Sequence, residues 1–218
     1  MSSTKSINSE IDTSSFQCDW GSFVDCFTAI LDAPSGTQVA VFDVDSAHCR
    51  MPIHPEDRLH VCVLWQGLVY MDHCCCFGCA SSSGIFGRCT DAAKEIFLSR
   101  GIHFILKWAD NFMFWHNPVE VSPSGPWSYP FDESIIWDTA AELGWPWSAD
   151  KWAPFASSFH YIGFDWDLRL KTISIPDSKR SKFLEKLSAW KPGHSVNHRL
   201  CLSLIGSLNH CSVVIPSS

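Results

Sequence analysis

Val39-Ala40-Val41-Phe42-Asp43-Val44-Asp45 is the stretch on which the fold turns. It reads as the heart of a strand from Gln38 to Asp45. Val39, Val41, Asp43 and Asp45 fall on one face of that strand, and Ala40, Phe42 and Val44 on the other. Asp43 therefore sits deep in an apolar run. A carboxylate in such company is costly unless it is paired, protonated or bound to a cation.

A second acid stands in the same predicament. Asp110 lies between Lys107-Trp108 and Phe112-Met113-Phe114. Ile102 to Trp108 and Phe112 to Trp115 read as short strands around Ala109-Asp110-Asn111, whose Asp and Asn suit a hairpin tip. Two acids from neighbouring strands can converge on one divalent ion. Hard oxygen ligands with positions left open for phosphate suit magnesium, the layout of two-metal phosphoryl transfer. On the residues alone the plainer account is a strand-end Asp and a hairpin-tip Asp, each simply wetted.

Outward from this pair, the chain mixes helices and strands. Residues 1–15 are rich in Ser and Thr and read as a frayed tail. Phe16, Trp20, Phe23, Val24, Phe27, Ile30 and Leu31 recur at helical spacing, and Pro34-Ser35-Gly36 ends that helix. Arg58 to Trp65 and Leu68 to Cys76 read as strands around Gln66-Gly67. Ser82 to Ser99 reads as a helix with Ile85, Phe86, Cys89, Ala93, Ile96 and Phe97 inward. A loop rich in Pro and Ser runs from Asn117 to Pro130. Asp132 can cap a helix to Leu143, closed by Gly144. Phe159 to Leu168 and Leu170 to Ile175 suggest a hairpin, then Lys179 to Trp190 and Ser195 to Asn209 two helices. Without regular βαβ alternation, the fold class expected is α+β.

Composition sets the outer bounds. The 218 residues are 46% hydrophobic and 18% charged, which excludes wholesale disorder and predicts one domain or slightly more. The net charge of -7 disfavours a generic basic nucleic-acid binder. Its distribution is uneven: residues 1–178 carry -12 and residues 179–218 carry +5, an acidic body with a basic arm. The start, MSSTKSINSE, has no apolar signal core. The longest nearly apolar stretch, Val61 to Met71, is shorter than the ~20 residues of a membrane span. Eleven cysteines, an odd number, point to free thiols in a reduced compartment, so the expectation is an intracellular protein, cytoplasmic or nuclear and not secreted.

Other signals carry less. His73-Cys74-Cys75-Cys76 with Cys79 invites a zinc reading, but no second pair follows at finger spacing, and neighbours on a strand face opposite ways. Buried small thiols explain them better, and no cysteine stands out as a nucleophile. Ser81-Ser82-Ser83-Gly84 lacks the G-x-S-x-G elbow and reads as a helix start whose amides face phosphate or base. The 11 Trp read mostly as packing. Lys179-Arg180-Ser181-Lys182 reads as a phosphate-facing or solvated helix start.

The order of segments adds a resemblance. Val39 to Ala47 is followed by Pro52-Ile53-His54-Pro55-Glu56-Asp57, then Phe77-Gly78-Cys79-Ala80-Ser81-Ser82-Ser83-Gly84-Ile85-Phe86, then Trp108-Ala109-Asp110-Asn111-Phe112, and finally Phe159-His160-Tyr161-Ile162-Gly163-Phe164. From about residue 38 to 210 this series resembles the reverse transcriptases of retrotransposons, particularly fungal ones. The resemblance implies a polymerase palm-like antiparallel sheet backed by helices over residues 38–176. A lead-in of tail and partial fingers occupies 1–37 and a small helical partial thumb 177–218. It implies RNA-directed DNA polymerase (nucleotidyltransferase) chemistry, with Asp43 and Asp110 as metal ligands for magnesium or manganese. Val44, His48, Phe77 and Gly78 fall at the nucleotide and template positions, His48 where the family has Phe or Tyr. Lys151 lies near the lysine that can protonate pyrophosphate. Tyr161, Ile162 and Gly163 match the primer grip, and Lys182 and Lys186 the thumb's nucleic-acid contacts. The implied partners are an RNA or DNA primer–template and a deoxynucleoside triphosphate, with no membrane. Asn111 replaces the second Asp of the metal turn. Asn offers a neutral and poorer ligand, so the resemblance implies an impaired or catalytically inactive module, truncated in its fingers and thumb.

Overall fold

The run around Asp43 forms β1, Gln38–Asp43, and five of its six residues are buried. The computed structural model describes residues 5–119, 126–188, 190–191, 193 and 195–215. β1 is an inner strand of a four-stranded antiparallel sheet with β4 (Ile105–Trp108), β5 (Asn111–His116) and β6 (Ala153–Ala156), in the order β4-β5-β1-β6. In its register with β5, Asp43 stands opposite Asn111 and Val39 opposite Trp115.

Alternation along β1 separates two cores. Ala40, Phe42 and Val44 pack with Phe112 and Phe114 against Phe86, Ala93 and Phe97 of α3 (Ser82–Ser99) and Ile136 and Ala140 of α4 (Ser134–Leu143). Val39 and Val41 pack with Met113 and Trp115 against Cys26 and Ile30 of α2 (Phe23–Asp32). That second core is closed by a three-stranded sheet, β7 (Ser158–Tyr161), β8 (Phe164–Asp167) and β9 (Thr172–Ser174). Each large side chain so buried contributes ~1.5–3 kcal/mol of transfer free energy, so both faces hold the strand that carries Asp43. The architecture is α+β and palm-like, an antiparallel sheet backed by helices.

Local chemistry explains where the expected elements shift. The first long helix begins at Phe23 rather than Phe16, because Ser22 and Asp25 form a reciprocal capping box. Its inward stripe is Cys26 and Ile30, while Val24, Phe27 and Leu31 are exposed. The tail is not frayed over residues 6–16, which form α1 (Ile7–Glu10) and a 3-10 turn, Thr13–Phe16. This segment crosses α3 closely: a Cβ on Gly84 or Gly87 would collide with Phe16 or Cys18. Arg58 to His60 belong to a 3-10 turn opened by Pro55, so the exposed hairpin is only β2 (Cys62–Trp65) and β3 (Leu68–Met71). His73 to Cys76 lie beyond β3, outside any strand. The expected single hairpin over 159–175 is three strands, since Ile162 and Gly163 turn the chain between β7 and β8. β6 escapes the sequence pattern because Pro154 interrupts it, as edge strands tolerate.

α4 starts at Ser134, whose amide donates to Asp132 Oδ1 at 2.9 Å, and ends on left-handed Gly144. Of the loop expected over 117–130, residues 120–125 lie outside the described residues. α5 (Asp177–Ser188) and α6 (His198–Ser212) follow the sheets. Among the described residues, no helix is long and apolar enough to cross a membrane.

Candidate active site

Asp43 is the last residue of β1 and is 8% exposed. Asp110 occupies the turn between β4 and β5, which Ala109 opens with a φ of +52°. The two strand ends are bolted together, since the Val44 amide donates to the Asp110 carbonyl at 2.9 Å. The loop after α4 closes over the same corner. The Ser148 amide donates to the Asp43 carbonyl and the Asp45 amide to the Pro146 carbonyl, both at 2.8 Å. Val44 bridges Trp147. This loop delivers Lys151, whose Nζ donates to Asp43 Oδ1 at 2.9 Å. The hydrogen bond and charge of Asp43 hold the Lys151 ammonium above its ordinary pKa, with Asp110 and Asp45 adding to the effect. The Asn111 amide donates to Asp110 Oδ1 at 3.1 Å.

Lys151 and Asp110 open onto a cleft of about 860 Å³, walled also by Val44, His48, Phe77 and Trp108. His48 sits in a 3-10 turn, Ala47–Arg50. Its ring meets Phe77 and Phe86 edge-on at 5.3 and 5.4 Å. Phe77 is 82% exposed. Gly78 lies beside this rim, and its carbonyl accepts from Asn8 Nδ2 at 2.7 Å. Asp45 is ion-paired with Arg50, whose hydrogen bond, with that of Ser46, keeps its carboxyl below the usual range.

The structure thus brings Asp43, Asp110, Asn111, Lys151, Val44, His48 and Phe77 to one corner. It does not bring the rest there. Tyr161 is 4% exposed inside the second core. Ile162 and Gly163 form the β7–β8 turn, and the Gly163 carbonyl accepts from Lys179 Nζ at 3.0 Å. Lys186 Nζ donates to Ser203 Oγ and Ser207 Oγ at 3.0 and 2.9 Å, so its ammonium serves the α5–α6 seam. Lys182 is exposed on α5.

Sequence reasoning overlooked Lys107. It is 6% exposed, paired with Asp91 at 2.6 Å, and donates to the Asp19 carbonyl at 2.9 Å and Thr90 Oγ1 at 3.1 Å. It thereby holds the segment with Trp20 and Gly21, another wall of the cleft. A charge in phase with buried Ile105 on a strand was the available signal.

No family model and no curated protein matches the chain. Solved structures do. The chain superimposes on a foamy viral protease-reverse transcriptase in complex with RNA/DNA hybrid with a TM-score of 0.56, at 15% identity over 80% of its length. A form of that protein in complex with double-stranded DNA gives 0.58 at 12% identity over 89%. A further double-stranded DNA complex gives 0.57 at 15% over 84%. The fold is reverse-transcriptase-like. Within that reverse-transcriptase-like fold the chain spans only 21%, 31% and 34% of the three matched chains.

Proposed function

We propose that this reverse-transcriptase-like domain descends from a retrotransposon-type element of the fungal kind. On this reading it binds a deoxynucleoside triphosphate and a primer–template of RNA or DNA at the Asp43–Asp110 corner, and extends the primer slowly. The observation that carries the reading is that, in this fold, the strand end bearing Asp43 is hydrogen-bonded to the turn bearing Asp110, through the Val44 amide and the Asp110 carbonyl, beside a cleft lined by Asp110 and by Lys151, the partner of Asp43. The matched foamy viral proteins are described in complex with RNA/DNA hybrid and double-stranded DNA, which makes nucleic acid the partner to test first.

The donor set fits a hard dication. Among the described residues, Oδ2 of Asp43 and of Asp110 takes no hydrogen bond. No group of three or more His, Cys, Asp or Glu there could hold a metal alone. Two carboxylates completed by substrate phosphates are the usual magnesium arrangement. Asp43 and Asp110 would hold magnesium or manganese, with the Asn111 side-chain oxygen as a weak neutral helper. Bound there, such an ion would supply Lewis-acid charge toward phosphate and hydroxyl oxygens. The chain's own residues do the rest. Lys151, kept protonated by Asp43, can hand its Nζ proton to departing pyrophosphate. His48 and Phe77 offer ring edges to the nucleotide sugar. Asn111 leaves the corner one negative charge short, which slows the chemistry.

One observation favours a second reading, a catalytically silent module that binds nucleic acid or protein: Asp43 already has a cation in Lys151. Primer extension separates the two. Asn111→Asp is expected to raise extension about tenfold or more, ~1.4 kcal/mol of barrier, and Asp43→Asn to abolish it. No extension by either the parent or Asn111→Asp, with either metal, overturns the enzymatic reading. Binding that weakens with salt and with Lys182→Glu, without extension, establishes the silent one.

A further inference from the structure

Cys76-Phe77-Gly78-Cys79 carries two sulfurs at the ends of one tight turn. Phe77 and Gly78 are its central residues, and Gly78 takes a φ of +85°, the left-handed third position of a type II turn. Such a turn holds its outer Cα atoms within ~7 Å, close to the ~4.4–6.8 Å over which disulfides are built. Ser82 fixes both ends at once. Its hydroxyl donates to the Cys76 carbonyl at 2.9 Å and its amide to the Cys79 carbonyl at 3.2 Å. Asn8 clamps the middle: Nδ2 donates to the Gly78 carbonyl at 2.7 Å, and Oδ1 accepts from the Ala80 amide at 2.9 Å. Cys76 and Cys79 are both half-buried and line a cleft of about 740 Å³, separate in its lining from the cleft that Phe77 walls.

We infer that Cys76 and Cys79 form a reversible redox dithiol site whose substrate is a low-molecular-weight disulfide of the glutathione class.

The two sulfurs are differentiated. Burial pushes the Cys79 thiol up, but hydrogen bonding at the helix start, led by Ser81 with its Oγ 3.3 Å from Sγ, outweighs it and leaves the thiol below its ordinary value. Burial and the neighbouring Cys79 raise Cys76. Cys79 is therefore the attacking sulfur. Its thiolate attacks one sulfur of the small disulfide. That S–S bond breaks, and the departing thiolate takes up the proton Cys79 released. Cys76 then loses its proton and attacks the Cys79 sulfur. The mixed disulfide breaks, and the second small thiol leaves with that proton. Two protein thiols are oxidised by two electrons, and one small disulfide is reduced to two thiols. The turn so locked carries Phe77, on the rim of the candidate nucleotide cleft, so oxidation stiffens that rim. The dithiol itself stands whether or not the chain polymerises.

The test is the full-length chain equilibrated in glutathione redox buffers, acid-quenched, alkylated and peptide-mapped. Cys76 and Cys79 are expected to lose alkylation together as one internal disulfide. Cys26, whose buried thiol is pushed up to about 12, stays reduced. Under limiting reagent, Cys79 alkylates faster than Cys76, its thiol being lowered and that of Cys76 raised. In Cys76→Ser, Cys79 is expected to keep a glutathione adduct that the parent resolves. Separate adducts on the two sulfurs without a Cys76–Cys79 bond, or equal alkylation rates in the parent, overturn the inference.

Discussion

His116 shows what one residue does to the pH response. It is 6% exposed, and its ring lies 4.1 Å from Tyr129, 4.3 Å from Phe155 and 4.5 Å from Phe131. Nε2 meets the Phe131 carbonyl at 2.7 Å, while Nδ1 is buried without a partner among the described residues. Burial holds the imidazole below its ordinary pKa, against the pull of the Phe131 carbonyl, Asp132 and Glu133. The folded ring is therefore neutral where the unfolded ring, at about 6.5, has begun to take a proton. The unfolded state binds more protons there, so stability falls as pH drops through about 6.5 toward the lower folded value. Each unit of lowering contributes about 1.4 kcal/mol. Urea midpoints between about pH 7.5 and 5 check this. The decline is expected to flatten in His116→Phe, which keeps the ring stack, and an unchanged slope there would place the sensitivity elsewhere.

At the scale of elements, the β2–β3 hairpin is the outlier. Leu64 and Val69 face each other across it and are 71% and 70% exposed. No charge interrupts residues 61–71, and charge is how edges are normally guarded against association. Leu64→Lys with Val69→Glu is expected to reduce light scattering at high concentration, with stability changed by no more than ~0.5 kcal/mol. A loss of several kcal/mol would mean that the hairpin packs on the body. The same element shows how far the sequence could be read. Its turn at Gln66-Gly67 was legible from composition, but its ends were not, since Pro55 seeds a 3-10 turn that a β-rich pattern conceals. α3 was legible to the residue, because eighteen positions of helical spacing leave little freedom. That Asp43 and Asp110 come from neighbouring strand ends was legible, because acids in apolar strands need a reason. The Lys151 contact was not, because it joins residues 108 apart through a loop. Nor was the α5–α6 seam, where Lys186 bonds two serines instead of standing free.

The whole molecule is organised by one sheet serving two cores. Phe114 and Met113 are neighbours on β5, both 0% exposed, one in each core. Phe114→Ala and Met113→Ala are expected to cost about 3–5 and 2–5 kcal/mol. Both should lower one shared unfolding transition, with fluorescence and circular dichroism coinciding. Two separable transitions would show that the cores fold independently. The same wedging bears on how guests of different size are received. A strand gripped on both sides by aromatic packing cannot slide sideways by fractions of an ångström, so Asp43 stands on an anvil. Accommodation then falls to the perimeter, to the short turns at residues 46–50 and 76–79. If the proposed function holds, a population of altered substrate preferences would trace to mutations in those turns and seldom to the anvil itself.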